Sequence, residues 1–220
     1  FWTKVTSGAC SSTYTSAKQF IVKNAATAGI ISGLNELCIT GNNGTTLTLA
    51  GSEGSITWQK STNWLATTPT WASATGTTNT LTTGALTAST AYRTVLTNAP
   101  CPSSTSDYIV VNVDPKVVVK TITANVTSPT GATATTAICA STEKILTLGA
   151  GYVGSIQWQR ATTAAGPWTS IDGATSATYT VSNPSIGANY FRVKLTSGAC
   201  AAGYTTAVPV FYKACATLPT

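Results

Sequence analysis

Gly154-Ser155-Ile156-Gln157-Trp158-Gln159-Arg160 recurs one repeat earlier as Gly54-Ser55-Ile56-Thr57-Trp58-Gln59-Lys60. Both copies alternate with the two-residue period of a half-buried strand, which puts Ile156 with Trp158, and Ile56 with Trp58, on one face. A short strand that carries its largest side chain inward predicts a Trp held between two β-sheets, so Trp58 and Trp158 are assigned to the core.

Each copy lies between two cysteines at almost the same spacing. Cys38 precedes Trp58 by 20 residues and Cys139 precedes Trp158 by 19, while Cys101 and Cys200 follow by 43 and 42. Further out, Phe1 to Cys10, Tyr92 to Cys101 and Phe191 to Cys200 resemble one another, and a Tyr follows each at Tyr14, Tyr108 and Tyr204. The chain therefore reads as a tandem repeat. Residues 1–23 are the closing hairpin of a preceding, incomplete unit; 24–114 and 115–213 are complete units; 214–220 are a linker or the start of a next unit. Asp114-Pro115 marks the seam, because a residue before Pro is held extended. Phe1 falls mid-pattern, which suggests a portion of a longer protein. Each complete unit shows about seven short strands punctuated by Gly, Pro, Asn and Ser. The expected fold is all-β, a tandem of immunoglobulin-like sandwiches.

The cysteine spacing predicts one bond within each unit, Cys38 with Cys101 and Cys139 with Cys200. Closing a loop of about 60 residues stabilises such a unit by roughly 4 kcal/mol in the chain-entropy treatment. Cys10 and Cys215 are left unpaired or bonded between chains. With six cysteines, no Cys-x-x-Cys pair and no His, a zinc site is excluded and disulfides in an oxidising, extracellular setting are expected.

Composition narrows the function classes. Charged residues are 8% of the chain, and the net charge of +6 arises from few acids rather than from a basic cluster. Nucleic acid is excluded as a partner, since no run of Lys or Arg tracks a phosphate backbone. A diffuse positive field suits weak attraction to acidic surface polysaccharide. No apolar run reaches the roughly 18 residues of a spanning helix, so membrane insertion is not expected. A Ser-His-Asp arrangement is impossible without His, and the acidic residues are too scattered for paired-carboxylate or calcium chemistry. No catalytic residue, metal or cofactor is expected, and the chain is read as non-enzymatic.

Residues 137–204 resemble a known repeat family. The marks are Ile138-Cys139, Gly154 to Gln159, Gly166-Pro167-Trp168-Thr169-Ser170-Ile171, Gly173 to Ser176, Tyr190-Phe191-Arg192-Val193 and Thr196 to Cys200. They are similar to the immunoglobulin-like repeats of giant surface adhesins and other large secreted proteins of Bacteroidota, including gliding-motility proteins exported by the type IX system. The first unit matches more loosely, with a Trp-rich segment over 63–77 in place of Gly-Pro-Trp-Thr. The resemblance implies a β-sandwich spacer strung in arrays outside the cell, with no catalytic residues to carry over.

Three functions follow as expectations. The first is a cell-surface spacer and display stalk for adhesion, whose partners are neighbouring repeats, surface polysaccharide or other cell-surface proteins. The second is a filament subunit completed by a neighbouring chain, suggested by the lone hairpin and by Cys10 and Cys215. The third is a carbohydrate-binding module of a secreted enzyme, in which Trp64 and Trp71 stack on sugar rings. Trp168 is expected to cover a sandwich edge, and Trp2, in register with Arg93 and Arg192, to point outward. Asn43-Gly44-Thr45 and Asn125-Val126-Thr127 are sequons that matter only in a host that attaches N-glycans.

Overall fold

A computed structural model describes residues 1–39, 44–125, 137–140, 142–182 and 184–214. Its described elements are all strands. Chain order begins with a two-stranded hairpin, β1 (Lys4–Val5) and β2 (Thr13–Tyr14). Next come β3 (Ile30–Gly33), β4 (Glu36–Cys38), β5 (Thr46–Ala50), β6 (Ser55–Ser61), β7 (Ala72–Ser73), β8 (Thr80–Thr82), β9 (Thr90–Asn98), β10 (Cys101–Thr105) and β11 (Ile109–Asp114). The same series then repeats as β12 (Ile122–Ala124), β13 (Ile138–Cys139), β14 (Lys144–Leu148), β15 (Ser155–Ala161), β16 (Thr169–Ser170), β17 (Thr178–Val181), β18 (Gly187–Ser197), β19 (Cys200–Tyr204) and β20 (Val208–Lys213).

Two tandem β-sandwiches result. In each, a three-stranded sheet (β3-β5-β8, or β12-β14-β17) accompanies a larger one (β4-β11-β9-β6-β7, or β13-β20-β18-β15-β16), with β10 or β19 added beside β9 or β18. The repetition extends to register: Trp58 lies opposite Thr94, as Trp158 lies opposite Val193. By packing, the chain divides into two compact units. One comprises Phe1–Gly33, Thr46–Thr82 and Ala91–Val110; the other comprises Leu34–Thr45, Thr83–Thr90 and Val111–Thr220.

The inward positions of the alternating strands build the cores. In the first sandwich Leu47, Leu49, Trp58, Leu81 and Leu96 are buried; in the second, Leu146, Leu148, Trp158, Phe191, Val193 and Leu195 are. Both core indoles are satisfied, Trp58 Nε1 donating to Thr78 O at 2.9 Å and Trp158 Nε1 to Ser176 O at 2.8 Å. Satisfying the N–H removes the one penalty of burying Trp. The Gly that opens each organising stretch has its own cause. Gly54 (φ 119°) and Gly154 (φ 123°) lie so close to the neighbouring strand that a Cβ would fall 2.9 Å from Thr97 O or Thr196 O.

Three features differ from the sequence reading. Strands β3 and β12 carry too short and too polar an alternation to stand out, and pairing with β5 and β14 makes them. Trp71 is no residue of an inserted loop. It immediately precedes β7, as Trp168 precedes β16, so the two tryptophans are counterparts. The cysteine pairing also changes: Cys38 is bonded to Cys200 at a sequence separation of 162, in place of the expected Cys38–Cys101 and Cys139–Cys200 bonds, and Cys101 carries a free thiol. Spacing within a repeat cannot decide the partner, because each repeat offers both a first-strand Cys and a hairpin Cys.

Candidate functional site

Two constellations recur and place polar or reactive groups at defined positions. The first is an aromatic-guanidinium stack on the larger sheet. Arg93, on β9, and Arg192, on β18, point away from the core because their neighbours Tyr92, Phe191 and Val193 point into it. The Arg93 guanidinium lies 4.1 Å from the centre of the Trp71 ring, and Arg192 lies 4.3 Å from Trp168 and 4.3 Å from Tyr204. In the first sandwich Thr105 holds the register position of Tyr204, and the Tyr108 ring lies 6.2 Å from Trp71. Each Nε donates to a glutamine carbonyl at 2.9 Å, Arg93 to Gln59 Oε1 and Arg192 to Gln159 Oε1. Those glutamines belong to the organising stretch, so one strand supplies both the core Trp and the acceptor that orients the outer Arg. Burial lowers the Arg192 pKa from its ordinary value, and the Tyr204 hydroxyl opposes that shift. The group remains a cation at any ordinary pH. Chemically the stack is a flat, rigid clamp with one face occupied by Arg; it carries no nucleophile.

The second constellation surrounds the disulfide. Cys38 ends β4, which runs parallel to β11 and lies opposite Asp114. Cys200 opens β19 at the tip of the closing hairpin, with Sγ 3.6 Å from Asp114 O and 3.4 Å from Pro115 O. The Asp114 carboxylate accepts from Ala199 N at 2.9 Å. Asp114-Pro115, read from sequence as a seam, therefore forms the bed on which the hairpin tip and its sulfur rest. An equivalent bed exists at Cys101, whose thiol donates to Lys23 O at 3.6 Å while Asn98 Nδ2 donates to Asn24 O at 2.9 Å.

The remaining sequence-derived candidates separate. Trp58 and Trp158 are wholly buried. Trp71 is taken up by Arg93 and Tyr108. Trp64 instead lines a surface depression of 90 Å³ with Thr62, Asn63, Leu65 and Ala66. Its loop is closed on the Asn63 side chain, whose Oδ1 accepts from Ser61 Oγ, Thr70 N and Thr70 Oγ1. Trp168 packs on Arg192, and Trp2 packs edge-on against Tyr14 at 4.4 Å. Cys10 is exposed and free, whereas Cys215 lies outside the described residues. Both sequons include residues outside the described set. No group of His, Cys, Asp and Glu among the described residues has metal-ligand geometry.

Sequence reasoning missed Lys144 and the Trp-Arg-Tyr stacks. Lys144 is fully buried at the start of β14, its Nζ has no hydrogen-bond partner among the described residues, and burial lowers its pKa. It takes the strand position of Thr45 in the first sandwich; the polar-then-alternating pattern looks the same for both. The stacks were legible only as three separate recurrences, of Trp, Arg and Tyr, at similar offsets.

Two stretches, residues 27–115 and 128–214, match one family, described as a domain of unknown function (DUF8696). The chain belongs to this family. The first match spans β3 to β11 and the second β13 to β20, one sandwich each apart from β12. The search of curated proteins finds no match. Among solved structures, the chain is similar to the fibronectin(III)-like modules of Clostridium thermocellum CbhA (15% identity, TM-score 0.36, covering 84% of this chain and 94% of that one). It is also similar to the FN1-FN3 domains of chicken CNTN1 (14%, 0.34, 85% and 66%). A cytokine receptor complex is similar at 14% identity and a TM-score of 0.34, covering 83% and 96%.

Proposed function

We propose that this chain is a non-catalytic, extracellular spacer and display segment of a larger cell-surface protein, in which DUF8696 modules follow one another and are stapled by disulfides. The observation that carries the reading is the bond from Cys38, in the first family match, to Cys200, in the second. A covalent link between successive modules resists their separation under load and forms in an oxidising compartment. The paired Trp-Arg-Tyr stacks support a structural role, since the cation that would attract a ligand is already covered by its own rings. The resemblance to the surface repeats of Bacteroidota adhesins agrees with this reading and would make the stalk one that carries adhesive surfaces. Electron microscopy of the intact protein tests it. An extended, beaded particle is expected; a compact globular one overturns it.

The carbohydrate-binding reading retains one observation, the depression at Trp64 with the exposed Leu65 beside it. Glycan-array binding that is lost in Trp64→Ala and kept in Trp71→Ala would favour it. An array without signal dismisses it.

A further inference from the structure

The leading hairpin is folded as the closing hairpin of a module, although the strands that cover such a hairpin elsewhere in the chain are not beside it. Lys4 pairs with Tyr14 in β1-β2, as Lys194 pairs with Tyr204 in β18-β19. Thr15 N donates to Thr3 O at 3.0 Å and Thr3 N to Thr15 Oγ1 at 2.9 Å. Thr205 N and Val193 N make the same two bonds, to Val193 O and Thr205 Oγ1, at the same distances. Phe1 exchanges hydrogen bonds with Lys18 at 2.7 and 2.8 Å, where the second sandwich pairs Phe191 with Val208. Residues 1–23 therefore correspond, position by position, to 191–213.

Burial is reversed. Phe191, Leu195, Val210 and Tyr212 are at most 2% exposed, whereas their counterparts Phe1, Val5, Phe20 and Val22 are 86%, 55%, 73% and 94% exposed. A hairpin that keeps core chemistry on an open face has one natural cover, the strands that cover it twice in this same chain. In the second sandwich these are β15, bearing Ser-Ile-Gln-Trp, and β13, whose Cys139 lies opposite Lys213. In the first, Cys38 lies opposite Asp114. Lys23 is the equivalent of both Lys213 and Asp114. The thiol that rests on Lys23 O is Cys101, at the distance at which Cys200 Sγ rests on Asp114 O.

From these two observations, the open core face and the empty sulfur bed, we infer that residues 1–23 and Cys101 together form a receiving surface for the front half of one further DUF8696 module, supplied ahead of Phe1 in the same polypeptide. Its Gly-Ser-Ile-x-Trp strand pairs with residues 1–5. Its first strand runs parallel beside 20–23 and presents a Cys opposite Lys23, within reach of Cys101. A second copy of this chain is the poorer occupant, because both of its front halves already cover their own hairpins. Bond formation joins the two sulfurs with loss of two protons and two electrons. A low-molecular-weight or protein disulfide takes up both and is reduced to two thiols. The inference rests on the array reading and gives it a rule: the first-strand Cys of each module bonds to the hairpin Cys of the next.

The test is a chimera with residues 115–190 placed directly before Phe1 of the full chain, folded in a glutathione redox buffer beside the unmodified chain. Non-reducing peptide mapping is expected to join the added copy of Cys139 to Cys101. Amide exchange at Val5 and Ile21 is expected to slow on the order of 100-fold. The same chimera with the added Cys139→Ser keeps the exchange protection and leaves Cys101 open to alkylation. Exchange at Val5 as fast as in the unmodified chain overturns the receiving surface, and an alkylatable Cys101 in the protected chimera overturns the staple. A covalent dimer of the unmodified chain through Cys101 makes a second copy the occupant and overturns the inference. The array reading fails separately, on the shape of the intact protein.

Discussion

Serine in place of Cys38 and serine in place of Cys101 separate two accounts of this protein. Closing the chain across the separation of 162 between Cys38 and Cys200 stabilises the folded state by about 5 kcal/mol in the chain-entropy treatment. Pairing Cys38 with Cys101 would close a loop of about 60 residues and give roughly 4 kcal/mol, so the size of the Cys38→Ser effect cannot tell the accounts apart. The effect of Cys101→Ser can. In the structure Cys101 is a half-buried free thiol that donates a long hydrogen bond to Lys23 O, which a serine hydroxyl can replace. That variant is expected to lie within about 0.5 kcal/mol of the parent. Cys38→Ser and Cys200→Ser are each expected to lose several kcal/mol, and the double variant no more than either alone, since the two residues share one bond. Urea denaturation read from the buried Trp58 and Trp158 measures all four, and a non-reducing peptide map reports the link directly. Equal losses in Cys38→Ser and Cys101→Ser, or a peptide joining Cys38 to Cys101, would refute the reasoning.

Lys144→Met, which keeps the length of the side chain and removes an ammonium without a hydrogen-bond partner among the described residues, is expected to raise stability at neutral pH by about 1–3 kcal/mol by denaturant titration. Because burial lowers the Lys144 pKa, the folded state binds fewer protons than the unfolded state just below the ordinary lysine pKa. Parent stability should therefore rise with pH through that window, and the Met variant should lack the rise. Tyr92 and Tyr212 act in the opposite sense: burial raises both pKa values, so the folded state holds protons the unfolded state releases, and stability falls as pH climbs past about 10. Tyr212→Phe, which deletes a buried hydroxyl without a hydrogen-bond partner among the described residues, should weaken that fall without destabilising the fold at neutral pH. Arg192→Ala strips the cover from Trp168 and Tyr204 and should cost about 1–2 kcal/mol with a change in Trp fluorescence; a silent variant would show the stack to be incidental. Gly154→Ala combines a left-handed backbone with a methyl against Thr196 O and should cost on the order of 1–3 kcal/mol by thermal unfolding.

The alternation of Ile and Trp in the two Gly-Ser-Ile-x-Trp strands was enough to establish a tandem β-sandwich and to bury Trp58 and Trp158. Alternation is a local property, read from neighbours two residues apart. The closing hairpin was equally legible, because its turn and flanking strands are contiguous in sequence. Strands β3 and β12 were not, since their pairing partners rather than their own pattern make them strands. Nor was Trp71 recognisable as the counterpart of Trp168, because the segment before it differs in length and composition between repeats while its three-dimensional station over Arg93 does not. Which sulfur meets which was beyond the sequence for the same reason. Two kinds of Cys per repeat permit a bond within a repeat or between successive ones, at similar entropic gain. Only the folded chain, with β4 beside β11 and the hairpin tip resting on Asp114-Pro115, brings Cys38 to Cys200. Periodicity determined the elements and their faces; contact between residues far apart in the chain decided the covalent link.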